Sequence, residues 1–194
     1  MDKKHCTLLL FCLVFAACST AQRPSVPSKT TTTITRTPAP PIRVTTTTDK
    51  KPTVVFPSET GDFRADMLTA VNFVRSKGCR CGGQLVSPVP PLTWNSLLEG
   101  AAIRHAKDMA VHKHFDHVGT DGSEIDSRIT DTGYKWMQIG ENIAWNYNTI
   151  AEAMAGWIIS PSHCFQLMSN KVNEMGAAKN GKYWVQDFGK VRNW

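Results

Sequence analysis

The sequence predicts an α+β domain, with helices gathered around a few antiparallel strands. Three observations predict it. Apolar residues recur at helical spacing in three separate stretches, which marks helices with one buried face. An Asn180-Gly181 pair stands between two strand-like runs, a strong hairpin signal. The stretch "IGENIAW" at 139–145 alternates as a β-strand does, placing Ile139, Glu141, Ile143 and Trp145 on one face and Gly140, Asn142 and Ala144 on the other.

The elements follow in order. In "DFRADMLTAVNFVRSKG", Phe63, Met67, Ala70, Val71 and Val74 form one stripe, and Gly78 closes the helix. "CRCGGQLVSPVPPLTW" is too rich in Gly and Pro for regular structure and reads as a loop. "NSLLEGAAIRHAKDMAVHK" is a second helix, with Asn95 as N-cap and Leu98, Ala101, Ala102 and Met109 facing inward. "SEID" at 123–126 and "TIAE" at 149–152 fit capping boxes. The second opens a helix whose Ile150, Ala153, Met154, Trp157 and Ile158 share a face. "NEMGAAKNGKYWVQDFG" is the closing hairpin. Packing accounts for Trp157 and Trp184, whereas Trp145 continues the Glu141 face toward a cleft.

Glu141 sits where the alternation calls for an apolar residue. An ionised carboxylate buried without a partner costs several kcal/mol or takes up a proton. The sequence therefore demands a partner for it.

The chain ahead of the domain has a different character. Residues 1–17 carry Lys3 and Lys4, then an apolar run too short to span a bilayer, as in a signal peptide. Residues 18–61 are rich in Thr and Pro and bury almost nothing, which predicts an extended tether. The domain is expected over 62–194. Its basic and acidic residues nearly balance, so the net +6 of the chain belongs mostly to the tether. That distribution argues against a nucleic-acid groove. "FAAC" at 15–18 resembles a bacterial lipoprotein cleavage box. The resemblance implies lipidation at Cys18 and attachment to a membrane.

Cysteines and histidines bound the chemistry. Cys79, Cys81 and Cys164 lie in the domain, so in an exported protein two are expected to pair and one to be left over. His105 falls on the second helix's apolar stripe and is read as a satisfied core histidine. His112 and His114 sit near that helix's C-terminal end, where a cation favours the dipole. No HExxH, GxSxG or Gly-rich phosphate loop occurs. Spacing alone names no enzyme class.

The ordered motifs go further. "PLTWNSLLEGAAIRHAKDMA", "HFDHVGTDGSEIDSRITDTGY", "GENIAW", "WIISPSHC", "NEMGAA" and "YWVQDFG" together resemble the bacterial branch of the CAP superfamily (cysteine-rich secretory, antigen 5 and pathogenesis-related proteins). The resemblance spans about residues 64–189 and implies an α-β-α sandwich with a central cleft in an exported protein. It implies that His117, Glu141 and His163 converge in that cleft, with Asn142 and Ser160 on its walls. Eukaryotic members often carry a second Glu where this chain has Ser160. Two imidazoles and one carboxylate then remain, a set suited to weak binding of a divalent cation such as Zn²⁺, though no cofactor is required. The same resemblance pairs Cys81 with Cys164, while "CRC" leaves Cys79 as a free thiol or an alternative partner. The long loop so closed is worth about 4–5 kcal/mol in the chain-entropy picture. The expected role is a tethered envelope or extracellular binding module for a lipid, a glycan or a protein. The rivals are a metal-assisted hydrolase with Glu141 as base and a purely structural envelope component.

Overall fold

The computed structural model describes residues 54–192. The expected signal peptide, the lipidation site Cys18 and the tether up to residue 53 lie outside the described residues. Eleven elements follow in this part of the chain: α1 (Phe63–Lys77), β1 (Cys79–Cys81), β2 (Gln84–Val86), β3 (Thr93–Trp94), α2 (Ser96–His112), α3 (Ile125–Asp131), β4 (Trp136–Trp145), α4 (Ile150–Ile159), α5 (Pro161–Leu167), β5 (Glu174–Asn180) and β6 (Tyr183–Val191). Four strands make the main sheet in the order β3-β5-β6-β4. β5, β6 and β4 run antiparallel to their neighbours, and the two-residue β3 lies parallel to β5. β1 and β2 form a separate hairpin.

Helices cover both faces of the sheet. On one side Ala102, Ala106 and Met109 of α2 pack on Ile143, Ala178 and Val185. On the other, Met67, Ala70, Val71 and Val74 of α1 and Met154, Trp157 and Ile158 of α4 pack with Met175, Ala177, Trp184 and Phe188. The period-2 alternation of each strand divides its side chains between these two layers. The α-β-α arrangement that the motifs imply is the one observed, and burial of the tryptophans agrees with their packing roles: Trp157 donates Nε1–H to the Ile143 carbonyl at 3.0 Å and Trp184 to that of Tyr147 at 3.1 Å. Trp145, by contrast, is exposed at the end of β4 and packs near Tyr183.

Local capping explains where the helices begin. Asn95 Oδ1 accepts from Leu97 N at 2.9 Å and Thr149 Oγ1 from Glu152 N at 3.1 Å, the two caps read from sequence. Around "SEID" the cap falls one residue later than the sequence pattern suggests. Glu124 is the N-cap of α3, and its N–H donates to Ser127 Oγ at 3.1 Å. The segment from 79, expected to be a loop, holds the β1–β2 hairpin, turned by Gly82 and Gly83 at φ 56° and 86°. Positive φ at both turn residues is the signature of the tight hairpin turn that suits strand twist. α5 was also not anticipated; Pro161 at its first position, where no helical N–H is needed, starts it.

The chain just before α1 is held to the domain. Asp66 accepts from Thr60 N at 2.8 Å and Gly61 N at 2.9 Å, and Phe56 stacks edge-on near Phe73 with ring centroids 6.2 Å apart. Residues 54–61, read from sequence as the end of the tether, thus pack on α1.

Arg75 of α1 is fully buried and has carbonyls for company. It donates to Pro90 O at 2.8 Å, Leu167 O at 2.8 Å and Ser169 O at 2.9 Å. Burial draws its guanidinium down to about 10, still charged at neutral pH. Two of its acceptors lie at the C-terminal end of α5, where the helix dipole is negative.

α2 crosses β5 at Gly176. A Cβ built there would fall 2.0 Å from Glu99 N and 2.5 Å from Leu98 C, both rigid backbone. The absence of a side chain sets the layer spacing. Gly176→Ala is therefore expected to lower stability by about 3 kcal/mol, because backbone rather than a rotatable side chain must give way. Urea unfolding of the purified variant checks this; an unchanged midpoint would show that the helix is not seated as described.

Candidate functional site

Two strands and two helices build the site. Glu141 on β4 pairs in register with Asp187 on β6, so both carboxyl groups project from the sheet toward α2 and α3. α2 supplies His105, α3 supplies Arg128, and the loop between those helices supplies His117. The structure answers the question of what Glu141 faces. Its Oε2 accepts from Arg128 Nη2 at 2.7 Å, and its Oε1 accepts from His117 Nδ1 at 2.7 Å. His105 Nε2 lies 3.9 Å from Oε1. The Glu141 and Arg128 side chains are 2% and 1% exposed, whereas His117 is 54% exposed. Only the imidazole at the top of this stack meets solvent.

Arg128 also braces the loop. It donates to Ser123 O at 2.7 Å and His117 O at 3.0 Å, fixing the backbone that carries His117. His105 Nε2–H donates to Asp116 O at 2.9 Å, which holds the same loop from α2. Sequence reading placed His105 as a satisfied core residue; it is in the core and this bond satisfies its Nε2, whereas its buried Nδ1 has no partner. That reading missed Arg128 and Asp187. The signal for Asp187 was an acid in an otherwise apolar closing strand, "YWVQDFG". The signal for its pairing with Glu141 was absent, since β4 and β6 are far apart along the chain.

Electrostatics separates the two carboxyls. Burial pushes Glu141 up, but the bond from His117 and the charge of Arg128 outweigh it and hold Glu141 below its ordinary value. Asp187 is fully buried with neither oxygen accepting a hydrogen bond from a donor. Burial and the neighbouring Glu141 charge push it well above the ordinary carboxylate range. As a carboxylic acid it can donate its own proton to Glu141, and one arginine then suffices for the site. The bond to Glu141 raises His117, whereas burial and the His117 charge lower His163.

The other expected cleft residues are distributed differently. Asn142 is fully buried and points to the opposite sheet face, where its Nδ2 donates to His163 O at 3.2 Å. It therefore positions α5 and does not line a wall. Strand alternation is the reason: adjacent residues of β4 cannot share a face. α5 packs closely here, since a Cβ on Gly140 would meet the Gln166 side chain at 2.3 Å. Ser160 lies at the junction of α4 and α5, and its carbonyl accepts from Cys164 N at 2.9 Å. Among the described residues, the only three His, Cys, Asp or Glu ligand atoms within 4.8 Å of one another belong to Cys79, Cys81 and Cys164. His117, Glu141 and His163 are thus more widely spaced than a closed ligand set, and Glu141 is already bonded through both oxygens. Cys81 and Cys164 are joined by a disulfide, with Cα atoms 5.4 Å apart, and Cys79 is a buried free thiol. An open cavity of about 480 Å³ adjoins the site between α2 and the loop before α3, with Ile103, Lys107, His105 and Arg128 among its walls.

The described residues thus form a three-layer sandwich with a buried Glu–Arg pair beneath an exposed loop histidine. The comparisons give the family. The model of the cysteine-rich secretory protein family, CAP, matches residues 68–188, and the chain belongs to that family. Two Bacillus subtilis proteins are similar. The uncharacterized membrane protein YlbC is 29% identical over 103 residues, covering 53% of this chain and 29% of that protein. The uncharacterized protein YkwD is 29% identical over 101 residues, covering 50% and 39%. The matched stretch is therefore well under half of either relative. Among solved structures, an extracellular SCP-domain protein from Bacillus anthracis superposes with a TM-score of 0.59 at 24% identity, covering 66% of this chain and 40% of that one. An outer surface protein of Borrelia burgdorferi gives 0.50 at 20% identity, covering 54% and 80%. These two likenesses concern the fold. No helix among the described residues is long and apolar enough to cross a membrane.

The charge assignment predicts opposite outcomes for two isosteric changes. Asp187→Asn replaces a neutral acid by a neutral amide and should change stability by no more than about 1 kcal/mol. Glu141→Gln leaves Arg128 buried without its counter-charge and should cost about 3 kcal/mol. Denaturant unfolding at pH 7 distinguishes them, and equal costs would disprove a neutral Asp187.

The histidines supply a pH signature. Because His117 is raised in the folded state, its contribution is complete below about 6.5 and disappears as pH rises through its higher folded value. Glu141 is lowered, so its contribution is present above 4.5 and is lost as pH falls through its folded value. An NMR titration should find His117 titrating above 6.5 and His163 below it, with Glu141→Gln removing the upward shift of His117. The same midpoint for His117 in both proteins would contradict the contact.

Proposed function

We propose that this chain is an exported CAP domain, anchored to a membrane by a lipid on Cys18, that serves as a binding module in the cell envelope or outside the cell. Its ligand class is a lipid, a glycan or another protein, received where His117 meets solvent. One observation carries this preference for binding over turnover. The Glu141 side chain is sealed from solvent and held by His117 and by Arg128, so a substrate at the exposed surface does not reach it. A general base must reach the proton it takes. Here the carboxylate instead fixes the ring of His117.

A second reading rests on that same bond. A carboxylate gripping one ring nitrogen of a histidine is the arrangement that commonly orients a metal ligand. His117 Nδ1 is held by Glu141, which leaves Nε2 to face outward, and His163 is kept neutral by burial. These two imidazoles would hold a divalent cation such as Zn²⁺, with Glu141 orienting His117. A bound ion would supply Lewis-acid chemistry for a peptidase or esterase. Because the donor atoms do not form a tight triad, binding would be weak.

Isothermal titration of the purified chain with Zn²⁺ tests the second reading. Uptake should be lost in both His117→Ala and His163→Ala, and uptake that survives both changes rules it out. The leading proposal is tested by passing peptidoglycan fragments and lipid vesicles over immobilised protein, with peptide and ester turnover assayed in parallel. Saturable retention with no chelator-sensitive turnover is expected. Turnover abolished by chelator and by Glu141→Gln would overturn it in favour of a hydrolase.

A further inference from the structure

Three sulfur atoms meet in the core below α5. β1 has only three residues, and its alternation turns Cys79 and Cys81 inward and Arg80 outward. Both cysteines consequently face Cys164. Cys81 carries the disulfide to it, while the Cys79 Sγ lies 3.3 Å from Cys164 Sγ and 3.7 Å from Cys81 Sγ. All three residues are completely buried. A free thiol touching both atoms of a disulfide is a second suitor for the shared cysteine, because the distance a sulfur must move to change partners is small.

We propose that Cys79 and Cys81 are exchangeable partners of Cys164, so that the protein has two disulfide isomers, Cys81–Cys164 and Cys79–Cys164. The step is an internal thiol–disulfide exchange. Cys79 loses its proton to solvent and its thiolate attacks Cys164 Sγ. The Cys79–Cys164 bond forms as the Cys81–Cys164 bond breaks, and the electron pair leaves on Cys81 Sγ, which then takes up a proton. One disulfide and one thiol are present before and after, so neither an oxidant nor a reductant is consumed. Cys79 Sγ stands to the side of the disulfide, close to both of its atoms, so attack in line with the breaking bond requires the three cysteine side chains to repack together.

Burial pushes the Cys79 thiol up to about 11. The thiolate is scarce at neutral pH, so exchange is slow there and quickens about tenfold with each unit by which pH rises toward that value. The isomer formed on folding is therefore long-lived. The consequence is mechanical. With Cys81 bridged, the anchor sits beside the Gly82–Gly83 turn, which lies against Pro161 at the start of α5, and a Cβ on Gly82 would be 3.1 Å from Pro161 Cβ. With Cys79 bridged, the anchor moves two residues back toward Gly78 and α1, and that turn is released from its covalent hold. The released turn is the one that packs on Pro161, at the start of the helix that carries His163.

The sequence makes the test direct, since cleavage after Arg80 separates the two cysteines into different tryptic peptides. Purified full-length protein is incubated between pH 7 and 10, quenched in acid, alkylated with N-ethylmaleimide in denaturant and mapped without reduction. Label is expected on Cys79 at first and increasingly on Cys81, at a rate that climbs about tenfold per pH unit and does not depend on protein concentration. In Cys79→Ser, Cys81 should stay unlabelled, which shows that no other thiol drives the change. In Cys81→Ser, Cys79 and Cys164 should be found bridged. Among the three domain cysteines, label confined to Cys79 after prolonged incubation at pH 10 overturns the proposal, and so does a folded Cys81→Ser protein in which Cys79 and Cys164 both react.

Discussion

The ion pair between Glu141 and Arg128 is the constraint on which the site depends. Two charges this deeply buried are tolerable only when each has a partner and further hydrogen bonds. Glu141 obtains them from His117, and Arg128 from the carbonyls of Ser123 and His117. The long loop between α2 and α3 is thereby tied to the middle of the edge strand β4 by a pair that cannot separate cheaply. Asp187 sharpens this. A third ionised group would unbalance the cluster, so the acid next to Glu141 remains protonated and fills the space without adding charge. The exposed histidine is the only member of the assembly whose charge responds readily to the surroundings.

β4 organises the rest by having two faces. Glu141 and Ile143 turn toward α2 and α3, whereas Asn142 and Ala144 turn toward α4 and α5. The functional neighbourhood is consequently assembled from both sides of one strand. The acid reaches His117 directly, and the adjacent amide reaches the backbone of His163. Small residues make the approach feasible: Gly140 lets α5 settle on the strand, and Gly176 lets α2 settle on β5. Spacing between layers is set as much by what these positions lack as by the apolar side chains around them.

Much of this was legible in the sequence where the signal was local. Helical stripes and the Asn95 and Thr149 caps each depend on residues within a few positions and are found where expected, and the closing hairpin is found with its turn one residue later, on Gly181 and Lys182, because Asn180 pairs with Tyr183. The out-of-place Glu141 also announced that a buried partner had to exist. The partner itself could not be read, because Arg128 belongs to a seven-residue helix too short to show periodicity. Asp187 comes opposite Glu141 only through the register of β4 on β6, a pairing that local patterning does not encode. The β1–β2 hairpin was obscured by the Gly and Pro around it, although the two glycines were themselves the turn. Family motifs supplied the architecture that periodicity lacked, but not which side of β4 each residue faces.

Arg75 links parts of the chain that share no strand. Its guanidinium joins α1 to the proline-rich segment at Pro90 and to the last turn of α5. With no acid beside it, the charge is stable only while all three carbonyl groups stay in place. Peeling α5 away would take two of its three acceptors with it, so fraying of that helix carries the cost of unpairing a buried cation. Local opening in this region must be collective, and amide protection along α5 should track that of α1 instead of fading toward the surface as a short terminal turn usually does.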